Sequence, residues 1–237
     1  MIKAVIFDWF NTLARYEPPR EEVHSRALQV FGIGIDPVKL IVPLLTADKY
    51  FFDENILRPI RKRSAEEQDE LYAHYEEIIM VEAGLKFDKE LPYKVYQKGK
   101  ELFGEILDFV LFDDVIETMK ALKETGLTIG LLTNFARDMT PLIKKLGLAT
   151  YIDFVVTPYD AGADKPDPRI FQTALMKAKV KSAEAIYIGD QYKVDIVGAQ
   201  SVGITALLID RYNIYSEMAT CPRIANLSGL KNFLNIP

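Results

Sequence analysis

Cysteine is almost missing: Cys221 is the single one in 237 residues. One thiol excludes an intrachain disulfide framework and any cysteine-built metal cluster, and it suits a reducing compartment. There is no excess of positive charge either, with 29 Lys and Arg against 34 Asp and Glu, for a formal net charge of −5. No basic run is dense enough to track a nucleic-acid backbone. The tightest, RPIRKR at 58–63, is followed at once by SAEEQDE and reads as a solvated helix face. No stretch reaches the ~18 apolar residues of a spanning helix, and the start, MIKAVIFDWF, turns acidic too soon for a secretory signal. These absences point to a soluble cytoplasmic protein with neither nucleic acid nor membrane as partner. Internal repeats and low-complexity segments are lacking too.

What is present is apolar residue content, 49% of the chain, enough for one sizeable core or a core plus a satellite domain. Five short apolar runs stand out: KAVIFDW (3–9), TIGLLTNF (128–135), DFVVTP (153–158), AIYIGD (185–190) and TALLID (205–210). Each is too short for a helix and lacks the alternation of a half-exposed strand, as buried parallel strands do. Helical patterns separate the later runs. DDVIETMKALKETG (113–126) opens acidic, closes basic and ends in glycine. ARDMTPLIKKLG (136–147) also ends in glycine, with Pro141 limiting where its helix begins. DPRIFQTALMKAKV (167–180) places Asp167 at the N-cap and Pro168 at the first helical position, and 195–203 reads as another glycine-stopped helix. Strands alternating with helices at this spacing predict an α/β fold with a doubly wound parallel sheet, in the run order 5-4-1-2-3.

Residues 16–108 break that rhythm. REEVHSRALQVFG, SAEEQDELYAHYEEIIMVEAG and LPYKVYQKGKELFGEI are helical patterns with no comparable strand run. The expected organisation is a core domain of residues 1–15 and 109–237 and a second, helical cap domain of 16–108, with linkers near RYEPPR and LDFVLFDD. His24 and His74 fall in the insertion's helices, where a lone histidine is a surface or satisfied core group. Arg15, Arg20 and Arg26 read as surface residues, and Trp9 as packing beside the sheet.

In a doubly wound sheet, ligands bind beyond the carboxyl ends of the strands. The polar residues there are Asp8 and Thr12, Thr133 and Asn134, and Asp190 with Asp195, while Lys165 sits in the loop after the third run. Each piece alone is weak: a lone strand-end Asp is usually structural, TN is a common turn pair, and KPDP can simply start a helix. Together they make a set of carboxylates, one lysine, hydroxyls and an amide that suits Mg²⁺ and a phosphoryl group.

These residues resemble the haloacid dehalogenase superfamily of hydrolases. Asp8 with Thr12 looks like its first motif, a nucleophilic aspartate after an apolar strand, and Thr133 in LLTN like its second. GADKPDPRIF (162–171) is similar to the third, with Lys165 its cation, and YIGDQYKVDIVGAQSVGI (187–204) to the fourth. The resemblance implies catalysis by Asp8, Lys165 and Thr133, with Thr12, Thr133, Asn134 and Lys165 binding substrate. It implies Mg²⁺ held by Asp8, Asp190 and the main-chain carbonyl of Phe10, with Asp195 in support. The implied reaction is hydrolysis of a small phosphorylated molecule through an aspartyl phosphate.

One residue departs from the pattern. Most phosphatases of the superfamily carry a second aspartate where this chain has Phe10, and that aspartate protonates the leaving oxygen. Phenylalanine cannot. Asn11 stands where glycine is usual, and asparagine tolerates positive φ. Three readings follow. The acid comes from the cap, from water, or is not needed because the leaving group departs easily. Or the chain is a metal-independent 2-haloacid dehalogenase, a branch with an aromatic residue at this position. Or catalysis is impaired and phosphate or partner binding is kept. Asp190 favours the first, because dehalogenases typically lack that acidic residue.

Overall fold

A strand buried on both faces carries apolar side chains at every position. Ala4, Val5, Ile6 and Phe7 do so, each fully buried. The computed structural model describes residues 1–106, 108–215 and 221–234. The chain begins with β1 (Ala4–Phe7), β2 (Ala14–Glu17), α1 (Arg20–Val30), α2 (Ile41–Leu57), α3 (Ala65–Glu82) and α4 (Leu91–Ile106). It continues through β3 (Asp108–Leu111), α5 (Val115–Glu124), β4 (Thr128–Leu132), α6 (Thr140–Lys145), β5 (Phe154–Val156), α7 (Pro158–Ala161) and α8 (Pro168–Ala178). β6 (Ala185–Gly189), a π-helical turn (Tyr192–Ile196), α9 (Val197–Ser201), β7 (Thr205–Ile209), β8 (Arg223–Ile224) and α10 (Ser228–Leu234) complete it. Two compact units result, one of residues 1–15 and 110–237, the other of 16–109.

The first unit is built on a six-stranded sheet in the order β5-β4-β1-β6-β7-β8, with parallel pairing throughout. The five apolar runs take the expected order. β8 is an addition, only two residues long, too short to leave a hydrophobic signature. Ile6 pairs with Gly130 on one side and Tyr187 on the other, so β1 is internal. On one face Ala4, Ile6, Tyr187 and Leu208 pack with Ile170, Phe171 and Ala174 of α8 and with Ile196 and Ala199. α5 packs on β4, and its Val115, Met119 and Leu122 are fully buried at helical spacing. Asp167 caps α8 by accepting from the Arg169 amide at 2.9 Å, and Pro168 follows at the first position. The segment expected as one helix over 195–203 instead opens as a π-helical turn, in which the Val197 amide reaches back to the Tyr192 carbonyl.

The second unit is helical. α1, α2, α3 and α4 bury Ala27, Leu28, Leu44, Ala47, Ile79, Met80 and Val95 together. Ser64 and Glu67 form a capping box at the start of α3. The segments read as linkers carry the short strands β2 and β3, paired with each other. RPIRKR is not a helix face: α2 stops at Leu57 and Arg58 is extended, followed by a short 3₁₀ turn. Its arginines close that turn, Arg58 on Glu67 at 2.6 Å and Arg63 on Glu54 at 3.0 Å. Arg20 also departs from its surface reading. Its guanidinium takes both oxygens of Asp48 at 2.8 Å, and the Tyr75 hydroxyl donates to the same carboxylate at 2.9 Å. His24 is buried, with Nδ1 at 3.2 Å from Glu76, whereas His74 lies at the surface beside Glu77. A histidine in a helical pattern gives no sign of which it will be.

Gly198 joins α9 to the rest of the first unit by close approach. A Cβ there would lie 2.5 Å from the Phe171 ring and 3.1 Å from the Cα of Pro166. Gly198→Ala should therefore lower stability by about 1–3 kcal/mol, the usual cost of overpacking, read as a lower urea midpoint with unchanged m-value. An unchanged midpoint would show that the Phe171 ring yields freely.

Candidate active site

Asp8 follows directly on β1, at the carboxyl end of an internal strand, and is 7% exposed. The chain then turns sharply. The Leu13 and Ala14 amides both donate to the Trp9 carbonyl, at 2.9 and 3.0 Å, and the Asn11 amide donates to the Ala14 carbonyl at 2.8 Å. Asn11 sits at φ 59°, the left-handed conformation expected of it. Trp9 is fully buried, as packing beside the sheet requires. The turn brings the buried Thr12 hydroxyl back to Asp8, donating to Oδ2 at 3.4 Å. Phe10 is half-buried and bridges to Ala14.

Thr133 and Asn134 follow β4. The Thr133 amide donates to Val156 of the neighbouring strand at 3.1 Å, and its hydroxyl accepts from the Phe135 amide at 3.1 Å. Asn134 grips the loop that carries Lys165. Its Oδ1 accepts from the Lys165 amide at 2.7 Å, and its Nδ2 donates to the Lys165 carbonyl at 3.1 Å. Its carboxamide thus fixes the lysine main chain.

Lys165 is 5% exposed, and its ammonium donates to three partners: Asp8 Oδ1 at 2.5 Å, Asp195 Oδ1 at 2.7 Å and the Tyr187 hydroxyl at 3.0 Å. Three hydrogens meet three acceptors. Asp195 is equally committed. Its Oδ1 also accepts from the Tyr187 hydroxyl at 2.8 Å, and its Oδ2 accepts from the Gln191 amide at 2.9 Å. Gly189 makes that placement possible, because a Cβ there would fall on the Asp195 carboxylate. Asp190 lies partly open, its Oδ2 accepting from Gln191 Nε2 at 2.9 Å.

The sequence reading did not single out Tyr187. It is fully buried, with a hydroxyl that bridges Lys165 and Asp195. A signal was there: a tyrosine in an otherwise aliphatic buried strand must find a partner for its hydroxyl.

Asp8, Asp190 and Asp195 each bring a carboxylate oxygen within 4.8 Å of the others. Burial pushes Asp8 up to about 6, with the Asp195 charge adding to the rise and the Lys165 ammonium opposing it. Asp190 is raised well above the usual carboxylate range, by burial first and then by the charges of Asp8 and Asp195. One ammonium does not balance three clustered carboxylates. A hard divalent cation with oxygen ligands would, so the donor set fits Mg²⁺. Asp8 and Asp190 are better placed to hold it than Asp195, which spends its oxygens on three short hydrogen bonds from Lys165, Tyr187 and Gln191, whereas the bond from Thr12 to Asp8 Oδ2 is long, at 3.4 Å.

The curated relative Haloacid dehalogenase-like hydrolase domain-containing protein 3 of Mus musculus is 40% identical over 92 residues, 39% of this chain and 37% of that protein. The match thus spans about two fifths of such a relative's length. A longer match, to the Ribulose-1,5-bisphosphate 5-phosphatase of Halopiger xanaduensis, is 27% identical over 215 residues, 89% of this chain and 85% of the other. Among solved structures, a 2-haloacid dehalogenase from Pseudomonas syringae pv. Tomato superposes with TM-score 0.58 at 28% identity, covering 99% of both chains. The model of the haloacid dehalogenase-like hydrolase family matches residues 2–203. The chain therefore belongs to the haloacid dehalogenase-like hydrolases.

Proposed function

We propose that this hydrolase removes phosphate from a small phosphorylated metabolite, with Asp8 as nucleophile and Mg²⁺ as cofactor. The observation that carries the reading is the buried Asp8–Lys165–Asp195 group with Asp190 beside it, a set with too much negative charge for its one lysine. The match to the ribulose-bisphosphate phosphatase over most of both chains supports it. An Asp8 oxygen attacks phosphorus in line, the bond to the ester oxygen breaks, and an aspartyl phosphate forms. Water then attacks that phosphorus, releasing phosphate and restoring the carboxylate. Lys165 holds Asp8 by its Oδ1 and neutralises charge gathering on the phosphoryl oxygens. The hydroxyls of Thr12 and Thr133 receive those oxygens, and Asn134 acts indirectly by holding the lysine main chain. Asp195 and Tyr187 position the lysine.

Mg²⁺, held by Asp8, Asp190 and the Phe10 carbonyl, would supply a second positive charge at the transferring group. Residues 16–108 stand along the chain where the family carries a cap, and we assign them the choice of substrate. The working compartment is the cytoplasm, in keeping with the single cysteine.

Calorimetric titration of the unaltered chain should show one Mg²⁺ site, and Asp190→Asn should weaken it at least about tenfold. Undiminished binding would remove Asp190 from the ligand set. Turnover should depend on Mg²⁺, and Asp8→Asn should lower it by ~10³-fold or more.

Phe10 directs the choice of substrate. An alkoxide leaves badly without a proton, whereas an aryl oxide or a carboxylate leaves well. Acyl or aryl phosphates should therefore be hydrolysed much faster than alkyl phosphates. Phe10→Asp should raise the alkyl phosphate rate by up to ~10²-fold while leaving aryl substrates nearly unchanged. The aromatic side chain and the similarity to a solved 2-haloacid dehalogenase favour a second reading, metal-independent displacement of halide by Asp8. Chloride release from 2-chloropropionate without Mg²⁺, with no phosphatase activity, would replace the phosphohydrolase reading by that one.

A further inference from the structure

Arg211 stands just beyond β7, and its side chain is only 9% exposed. Its guanidinium makes a fork with Asp114, Nη1 to Oδ2 and Nη2 to Oδ1, both at 3.0 Å. The other edge donates to the Thr12 carbonyl, from Nη2 at 2.8 Å and Nε at 3.3 Å. Its flat face lies 3.9 Å from the centre of the Phe112 ring. The Phe112 amide in turn donates to the Leu13 carbonyl at 3.1 Å.

The three groups on this one side chain have distinct places in the chain. Thr12 ends the turn that carries Asp8, and its hydroxyl reaches the Asp8 carboxylate. It also lies two residues before β2, where the chain leaves for the helical unit. Phe112 and Asp114 lie just after β3, where the chain returns. A plain structural role, bracing the segment after β7, is already filled. Asp210 accepts the amides of Ile214 at 2.8 Å and Tyr215 at 3.0 Å, and pairs with Arg223 at 2.9 Å.

We propose that Arg211 is a positioning residue for the Asp8 site: it locks the Asp8–Thr12 turn to the outgoing and returning crossings, keeping the Thr12 hydroxyl on Asp8. Only a planar guanidinium offers a fork, a second donor edge and a stacking face at once, so lysine does not replace it. The consequence for turnover rests on the phosphohydrolase reading; the mechanical consequence does not.

Hydrogen–deuterium exchange on the full chain tests the mechanical part without substrate. In Arg211→Lys, amides within 11–14 and 112–115 should exchange about tenfold faster or more, while those of β1 and β6 keep their rates. Asp114→Asn, which weakens the fork from the other side, should speed the same segments and also the Leu227 amide, which donates to Asp114 Oδ2 at 2.7 Å. Unchanged exchange, or acceleration spread evenly over the chain, would overturn the proposal. With an aryl phosphate, Arg211→Lys should lower kcat about tenfold and change KM less than about threefold. Locally faster exchange with unaltered kcat would also overturn it. Absence of turnover in the unaltered chain would count against the phosphohydrolase reading alone, and exchange then decides the role of Arg211.

Discussion

A buried ammonium among carboxylates is the constraint on which the rest of the first unit depends. Water cannot screen these charges, and taking one partner from such a pair costs about 3–5 kcal/mol. Each surrounding feature therefore serves to keep Lys165 in place. Asn134 holds its main chain, Tyr187 takes its third hydrogen, and Gly189 gives up a side chain so that Asp195 can approach. The sheet brings these residues together from β1, β4 and β6 and from the loop between α7 and α8, which is why groups 157 positions apart, Asp8 and Lys165, meet at 2.5 Å.

The same constraint sets the electrostatic character of the site. Asp8 is pulled in two directions, burial raising its pKa and the ammonium lowering it, with the rise to about 6 showing that burial prevails. Asp190 feels the first influence and little of the second, so it is the carboxylate most in need of another cation. Asp195, with both oxygens committed to hydrogen bonds, serves as framework. Three aspartates of one chemistry thus hold three different positions, set by their hydrogen-bond partners.

Much of this was legible in the sequence because parallel strands buried on both faces write themselves as unbroken apolar runs. β1, β4, β5, β6 and β7 did so, and of the polar residues beyond their ends the fold brings Asp8, Lys165, Asp190 and Asp195 together. β8 was invisible, since two residues, Arg223 and Ile224, have no periodicity. β2 and β3 were hidden in what read as linkers, their alternation too short to register. Tyr187 and Arg211 went unremarked for another reason. Their importance lies in which groups they join, and a single tyrosine or arginine says nothing of that until the chain is folded. The helical unit showed the same limit: Arg20, read as a surface residue, is drawn inward by Asp48, and His24, open between surface and core in the sequence, is buried beside Glu76.

The π-helical turn at Tyr192–Ile196 carries a consequence of its own. An α-helix advances about 100° per residue, so one residue more or less redirects all that precedes it. The wider turn holds one surplus residue between the end of β6 and α9. Were Ile196 excised, the segment would close as ordinary helix with its backbone satisfied and α9 still seated against Phe171 and Pro166. Asp195 would then aim away from the lysine. The alignment of the whole charge cluster is stored as an integer, a number of residues, and mutation by substitution leaves that number intact.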